Sequence, residues 1–187
     1  MLNILMECCK NKKYVAVYTN TSDSSKFIFG RIISVNTNNI AIYMLSPDGY
    51  FDGVVVKQID DVLRVEIDGQ YSEKMQKLQS LYNQKPFEYV LDDENIPESL
   101  LLIAQQLKQV VAIEIMQSGF DNIVGFVEQI ENNLCGIKQI DSYGYEDGIS
   151  YVRLDEITQI SCNSQDESRI LKLWELNREY TEKCKEN

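Results

Sequence analysis

The sequence predicts a mainly β fold: two five-stranded antiparallel barrels in tandem, each preceded and followed by a helix. The first observation is that the segment at residues 49–65 is repeated, with changes, 95 residues later at residues 144–160. Its matching residues are Gly49 with Gly144, Tyr50 with Tyr145, Asp52 with Asp147, Gly53 with Gly148 and Asp60 with Asp155. The second observation is that short β-branched runs and turn residues surround both copies. A period of this length exceeds a solenoid unit, so it indicates domain duplication.

The repeat extends upstream of this segment. Phe29-Gly30-x-Ile32 matches Val124-Gly125-x-Val127. A shift of one residue then pairs Asn38-Asn39-Ile40 with Asn132-Asn133-Leu134. Both halves therefore present the same series of local signals.

Each half is expected to begin with a short helix, at Leu2 to Cys9 and at Pro97 to Leu107. Asn95 and Pro97 are placed to start the second of these helices. Five strands follow in each half, as indicated by β-branched and aromatic residues. The expected strands are Val15 to Thr19, Phe27 to Val35, Ile40 to Leu45, Val54 to Gln58 and Val62 to Ile67, then Val110 to Ile115, Ile123 to Ile130, Leu134 to Ile140, Ile149 to Arg153 and Ile157 to Cys162.

Two kinds of turn separate these strands. Asn-rich segments at residues 36–39 and 131–133 join the second strand to the third, since asparagine tolerates positive φ and bonds its own backbone. The pairs Asp52-Gly53 and Asp147-Gly148 are expected to turn the chain into the fourth strand.

A second helix is expected to close each half. In the first half an apolar stripe is formed by Tyr71, Met75, Leu78 and Tyr82. In the second, Ser164-Gln165-Asp166-Glu167 has the form of a capping box, and Ile170, Leu173, Trp174 and Leu176 supply the stripe.

The predicted domains are residues 1–83 and 97–187, joined by a linker at residues 84–96. The linker carries Pro86 and an acidic run from Asp92 to Glu94. Its alternating Phe87, Tyr89 and Leu91 predict a strand that could pair with an exposed sheet edge.

The pattern Gly30-x-Ile32-x-x-Val35-Asn36-x-x-Asn39-Ile40-x-Ile42 resembles the first half of the Sm/LSm-type barrel, which belongs to the broader group of SH3-like barrels. In that family a glycine lets the second strand bend sharply and a polar turn precedes the third strand. Gly125-x-Val127-x-x-Ile130-Glu131-x-Asn133-Leu134 repeats the pattern. The resemblance covers roughly residues 2–67 and 97–162 and implies a tandem Sm-like protein.

The RNA-binding residues of that family are only partly matched. Sm proteins that grip RNA carry an aspartate in the first turn and an Arg-Gly pair in the last, whereas this chain has Asn36 or Glu131 and then Gln58-Ile59 or Arg153-Leu154. The resemblance offers Asn39, Asn133 and Arg153 as candidate base contacts. Together with Asn36, Tyr50 and Tyr145 they are the candidate ligand or RNA contacts of the chain. The simpler alternative, which we favour, is that the asparagines form turns and Arg153 pairs with a neighbouring acid.

Composition argues against an enzyme. The chain contains no histidine, which removes the commonest general base and zinc ligand. Its five cysteines include no C-x-x-C pair and are expected to be reduced, with adjacent Cys8 and Cys9 buried on a helix instead of forming a redox site. Clusters of carboxylates surround the repeated segment, but they lack the calcium-loop spacing, so we expect no metal and no cofactor.

Charge points to protein partners over nucleic acid. The net charge is −11, with −3 in residues 1–95 and −8 in residues 96–187. Binding to a phosphate backbone depends on clustered lysine and arginine, and neither half of this chain is basic. We therefore expect no DNA partner, and RNA is the alternative to a protein partner. Tyr43, Tyr50, Tyr143, Tyr145 and Tyr151 suit a protein interface, where a rigid ring carries a polar tip. The function expected is a non-enzymatic interaction or scaffolding module.

Apolar runs are too short for a transmembrane helix, and the first residues do not form a signal peptide. We therefore expect a cytoplasmic protein that does not associate with a membrane.

We expect the outer strand edges to be covered or charged, and hence a monomer or dimer more readily than a ring.

Overall fold

The computed structural model describes residues 1–82, 87–115 and 123–185. The chain divides into two compact units, Met1–Ser99 and Leu100–Asn187. Within the described ranges there are ten β-strands and four α-helices, so the predicted mainly β class is confirmed.

The first unit begins with a helix, continues through five strands and returns to a helix. Its elements are α1 (Leu2–Lys10), β1 (Tyr14–Tyr18), β2 (Ile28–Val35), β3 (Asn39–Leu45), β4 (Phe51–Gln58), a 3₁₀ turn (Ile59–Asp61), β5 (Arg64–Ile67) and α2 (Gln70–Tyr82). The antiparallel strands follow the order β5-β1-β2-β3-β4. The first strand thus pairs with both the second and the last.

The second unit repeats this series. It starts within α3 (Ile96–Leu107), whose first four residues belong to the first unit. Its other elements are β6 (Val110–Ile115), β7 (Ile123–Glu131), β8 (Leu134–Ile140), β9 (Glu146–Arg153), a 3₁₀ turn (Leu154–Glu156), β10 (Ile157–Cys162) and α4 (Gln165–Lys185). The order β10-β6-β7-β8-β9 corresponds strand for strand to that of the first unit. The expectation of a common strand order is therefore confirmed.

Strand register corrects one detail of the internal alignment. Ile32 pairs with Ile42 in the first unit, and Val127 pairs with Ile137 in the second, an offset of 95 on both strands. The same offset continues to the end of the turn, where the Ile59 amide donates to the Asn38 carbonyl and the Leu154 amide to the Asn133 carbonyl. The predicted one-residue shift at the asparagines is wrong, because matching asparagines by type placed Asn133 opposite Asn39 instead of Asn38.

Helices cover both faces of the first sheet. On one face, Leu5 and Cys8 of α1 join a core with strand residues that include Val15, Ile32 and Ile42. On the other face, Met75 of α2 is fully buried in a smaller cluster whose other members are Ala16, Tyr18, Phe29 and Leu45. The sheet is therefore apolar on both sides at its centre.

The β2 and β7 glycines lie where two strands approach closely. A Cβ atom on Gly30 would lie 2.0 Å from the carbonyl oxygen of Tyr43, and one on Gly125 would lie 2.0 Å from that of Lys138. A side chain at either position would overlap the neighbouring strand. The need for glycine that the sequence pattern predicted at these positions is thus a steric one.

The Asp-Gly pairs do not form hairpin turns, contrary to expectation. Asp52-Gly53 and Asp147-Gly148 lie inside β4 and β9, where the register shifts and both glycines have positive φ, +76° and +80°. They form bulges. The turns lie earlier, at Ser46 to Tyr50 and Asp141 to Tyr145, where backbone hydrogen bonds close them.

The capping box at the start of α4 is confirmed. The Ser164 amide donates to Glu167 Oε2 at 2.6 Å, and the Asp166 amide donates to Ser164 Oγ at 3.2 Å. The apolar stripe of α4 is less buried than expected, since Leu173 is 39% exposed and Leu176 51% exposed. Trp174 is the stripe residue that contacts Phe126 of the sheet. Glu167 of α4 accepts a hydrogen bond from the Ser161 hydroxyl of β10.

The linker strand predicted at Phe87 to Leu91 is wrong: these residues have no regular secondary structure. The segment packs across a face of the first unit instead, where Phe87 accepts a hydrogen bond from the Tyr43 hydroxyl and Tyr89 contacts the Tyr43 ring. Phe87 and Tyr89 are therefore held by these contacts and not as part of a β-strand. Residues 83–86 of the predicted linker lie outside the described residues.

Among the described residues, the helices are all too short or too polar to cross a membrane.

Candidate functional site

Asn36 and Asn39 lie together in the β2–β3 turn. Asn36 Oδ1 accepts the amides of Asn38 and Asn39, each at 2.8 Å. Asn36 Nδ2 donates to the backbone carbonyl of Asp93 at 2.8 Å, and Ser34 donates to the Asp93 carboxylate. The turn and the segment before α3 therefore engage the Asn36 amide on both sides.

Asn133 and Arg153 also lie together, around one carboxylate. Asp155 Oδ1 accepts a hydrogen bond from Asn133 Nδ2 at 3.0 Å and lies 3.4 Å from Arg153 Nε. This arrangement matches the alternative in which Arg153 pairs with a neighbouring acid. The Asp155 carboxylate thus lies beside the guanidinium group and weakens its attraction for a phosphate.

Tyr50 is part of an aromatic stack in the first unit. Its ring lies 4.0 Å from that of Tyr82 at the end of α2, with an interplanar angle of 24°. The hydrogen bond with the Tyr50 hydroxyl raises the pKa of Tyr82. Tyr50 is therefore held by the first unit itself and has only part of its ring available.

Tyr145 lies beside a groove in the second unit. The groove has a volume of about 410 Å³ and runs between the β8–β9 turn and α4. Its lining includes Gly144, Tyr145, Glu146, Trp174, Asn177 and Arg178. Tyr145 is 60% exposed, and its ring has no aromatic partner among the residues that the structure describes.

Charges in the groove are balanced by close pairs. Lys138 Nζ lies 2.6 Å from Glu146 Oε1. This hydrogen bond lowers the pKa of Glu146, with a smaller effect from the charge of Arg178. The Arg178 guanidinium lies 4.7 Å from the centre of the Trp174 ring and 3.8 Å from Glu182. The groove is thus an aromatic surface with ionised acceptor groups at its rim.

The corresponding pair in the first unit is aromatic. Tyr43 and Phe51 occupy the positions of Lys138 and Glu146, and their rings meet edge to face at 5.1 Å. Duplicated positions have therefore become a ring contact in one unit and an ion pair in the other.

The β8–β9 turn and β9 together expose four large side chains, which we call the β9 surface. Its members are Tyr143, Tyr145, Ile149 and Tyr151, with exposed fractions of 74%, 60%, 56% and 60%. Val54 and Val56, the counterparts of Ile149 and Tyr151, are buried. The two units therefore differ in this region.

No group of three histidine, cysteine or carboxylate side chains converges on a metal-sized space within the described ranges. Among the cysteines, Cys8, Cys135 and Cys162 are buried. Burial raises the pKa of Cys135 to about 11, which keeps its thiol protonated at neutral pH. A protonated buried thiol is a poor nucleophile.

Sequence reasoning singled out Tyr145 but missed Asn177 and Arg178, and it assigned Trp174 only to a packing stripe. One signal was present: at the offset of 95, Asn177 replaces Tyr82, so the ring that stacks on Tyr50 has no counterpart on α4. This difference between the two repeats, at Tyr82 and Asn177, was therefore a sequence signal for the groove.

No protein-family model, curated protein or solved structure is significantly similar to this chain.

Proposed function

We propose that the chain is a non-enzymatic protein-interaction module built from two Sm-like barrels, and that the β9 surface is where it binds its partner. The β9 surface is the observation that carries the proposal. Several large exposed side chains within nine residues, three of them tyrosines, are typical of a protein interface, in which tyrosine is enriched. The function would then be scaffolding.

Several features support the barrel part of the proposal. In each unit the first strand pairs with both the second and the fifth, a strand order that is compatible with a five-stranded barrel. The close approaches at Gly30 and Gly125 require glycine on both second strands, at the positions where the Sm-like pattern has it. Each unit also begins with a helix.

Other features favour a protein partner over RNA. The Asn36 amide and the Arg153 guanidinium are already paired with groups of the same unit. The acidic net charge of −11 opposes a phosphate backbone. A protein partner requires neither a free cation nor a basic patch.

The test compares partner capture by the full chain and by two variants. Ile149→Ser combined with Tyr151→Ser removes the apolar part of the β9 surface, while Leu81→Ser removes a 75% exposed leucine from α2 as the matched control. We expect a protein that is captured by the wild type and the control to be retained at least about tenfold less by the double variant. Thermal melting checks that all three chains are folded.

Two results would contradict the proposal. One is a set of captured proteins that is the same for the double variant and the control. The other is binding of single-stranded RNA more tightly than about 1 μM at low salt with a steep salt dependence, which would favour the RNA alternative.

A further inference from the structure

The turn before the fourth strand packs against the closing helix in the same way in both units. Gly49 and Gly144 both have positive φ, +88° and +83°. A Cβ on Gly49 would lie 2.6 Å from Leu78 Cβ, and one on Gly144 would lie 2.7 Å from Leu173 Cβ. The turn and the helix therefore stand in equivalent positions, and residues at the offset of 95 can be compared directly.

One position on the helix changes the space beside this turn. In the first unit Tyr82 places its ring on Tyr50. In the second unit the equivalent residue, Asn177, is too short to do so, and its amide nitrogen donates to the carbonyls of Tyr143 and Gly144 at 2.9 and 3.1 Å. The Tyr145 ring is left uncovered at the edge of the groove.

Resting on the proposed function, we propose that this groove binds a tyrosine side chain of the partner protein in the place that Tyr82 occupies in the first unit. Tyr145 supplies the ring face for stacking, as Tyr50 does for Tyr82. Glu146 and Thr181 line the groove and supply oxygen acceptors for the ligand's hydroxyl group. An aromatic side chain with a polar tip satisfies both features.

The charges of the groove favour this occupant over a nucleobase. Glu146 and Glu182 line it, and Arg178 already lies near Glu182 and over the Trp174 ring. Bases stacked in nucleic-acid sites bring phosphates that need nearby unpaired cations. A tyrosine brings a ring without that charge.

Trp174 gives a direct readout because it is the single tryptophan of the chain and lines the groove. The probe is N-acetyl-tyrosinamide, titrated into the full-length protein while the indole N–H signal is followed by NMR. We expect a saturable shift with a dissociation constant on the order of 1 mM, as for a ligand of this size. N-acetyl-leucinamide should leave the signal unchanged.

Variants identify the place of binding. Asn177→Tyr should fill the groove with the chain's own ring and weaken the probe at least tenfold, and Tyr145→Ala should do the same by removing the stacking face. Leu176→Tyr adds a ring at the neighbouring, 51% exposed position and should bind the probe like the wild type. Melting curves confirm folding, and the two weakening variants serve as checks on each other.

The proposal is overturned if no probe shifts the indole signal, if leucinamide shifts it as much, or if both Asn177→Tyr and Tyr145→Ala still bind. A shift with uridine monophosphate and none with N-acetyl-tyrosinamide would assign the groove to nucleotides. Partner capture that depends on Ile149 and Tyr151 while tyrosinamide fails would overturn this site alone. Tyrosinamide binding without a captured protein would overturn the proposed function and leave the groove as a ring site.

Discussion

At the scale of single residues, Gly30 and Gly125 have the clearest physical requirement. Each lies where a Cβ would overlap a carbonyl oxygen of the adjacent strand, at 2.0 Å. Backbone atoms cannot move aside as a flexible side chain does. The alanine variants therefore have to separate two hydrogen-bonded strands.

We expect Gly30→Ala and Gly125→Ala each to lower the free energy of unfolding by about 3 kcal/mol or more, as for a severe overpacking. Gly69→Ala is the matched control, because a Cβ there meets nothing within 4 Å. Urea unfolding followed by circular dichroism measures all three. A control as unstable as the strand variants would show that the steric argument fails.

Glu146 carries the second residue-scale prediction. Lys138 lowers its pKa, so the pair contributes stability above the unfolded-state pKa of glutamate, about 4.3, and loses it as the pH falls through the lower folded-state value. Glu146→Gln should therefore be less stable than the wild type at pH 7, and the difference should be smaller at about pH 3, below the unfolded-state pKa. Since the Glu146 side chain is 48% exposed, solvent screening keeps the difference small.

Urea midpoints at both pH values test this prediction. Glu175→Gln, at an exposed position of α4, is the control and should match the wild type at both pH values. A difference for Glu146→Gln that persists unchanged at pH 3 would show that charge pairing is not its cause.

At the scale of elements, the closing helices differ in how deeply they pack. Met75 of α2 is fully buried, whereas Leu173 of α4 is 39% exposed. The sequence alone predicts a similar cost for truncating Leu78 and Leu173, because both lie in apolar stripes. The exposure of Leu173 lowers the expected cost of truncating it.

Met75→Ala is expected to cost about 2 to 5 kcal/mol of unfolding free energy, and Leu173→Ala about 1 kcal/mol, because the latter removes fewer buried contacts. Leu176→Ala, at a 51% exposed position, serves as a surface reference. Thermal and urea unfolding of the three variants provide the comparison. Equal losses for Met75→Ala and Leu176→Ala would mean that α2 does not dock as described.

At the scale of the whole molecule, strand edges govern assembly. Among the described strands, β5 pairs only with β1 and β9 only with β8. β5 has four residues, and β9 carries Glu146, Asp147 and a bulge at Gly148. Short, charged and bulged edges resist pairing with further strands.

We therefore expect a monomer or a dimer, with light scattering giving a mass at or below twice the 21.6 kDa of the chain. The net charge of −11 opposes closer crowding of copies, an effect that salt screens. The measurement is made at low and high salt. A mass of three chains or more in either condition would contradict blunted edges and support a ring.

The sequence by itself determined the succession of helices and strands, the duplication and the capping box at Ser164. These features rest on interactions between residues close in the chain and on comparison of the repeats. The asparagine turn at Asn36 and the glycine positions at Gly30 and Gly125 were also predictable, because each follows from backbone conformation or close approach at a recognisable pattern.

Only the tertiary structure decided which repeated positions are covered. Asp52-Gly53 became a bulge because the turn formed earlier, at Ser46 to Tyr50. The uncovered ring of Tyr145 depends on Asn177, 32 residues further along the chain, which is too short to reach it. Such features arise from contacts between distant residues, whose geometry no local pattern in the sequence records.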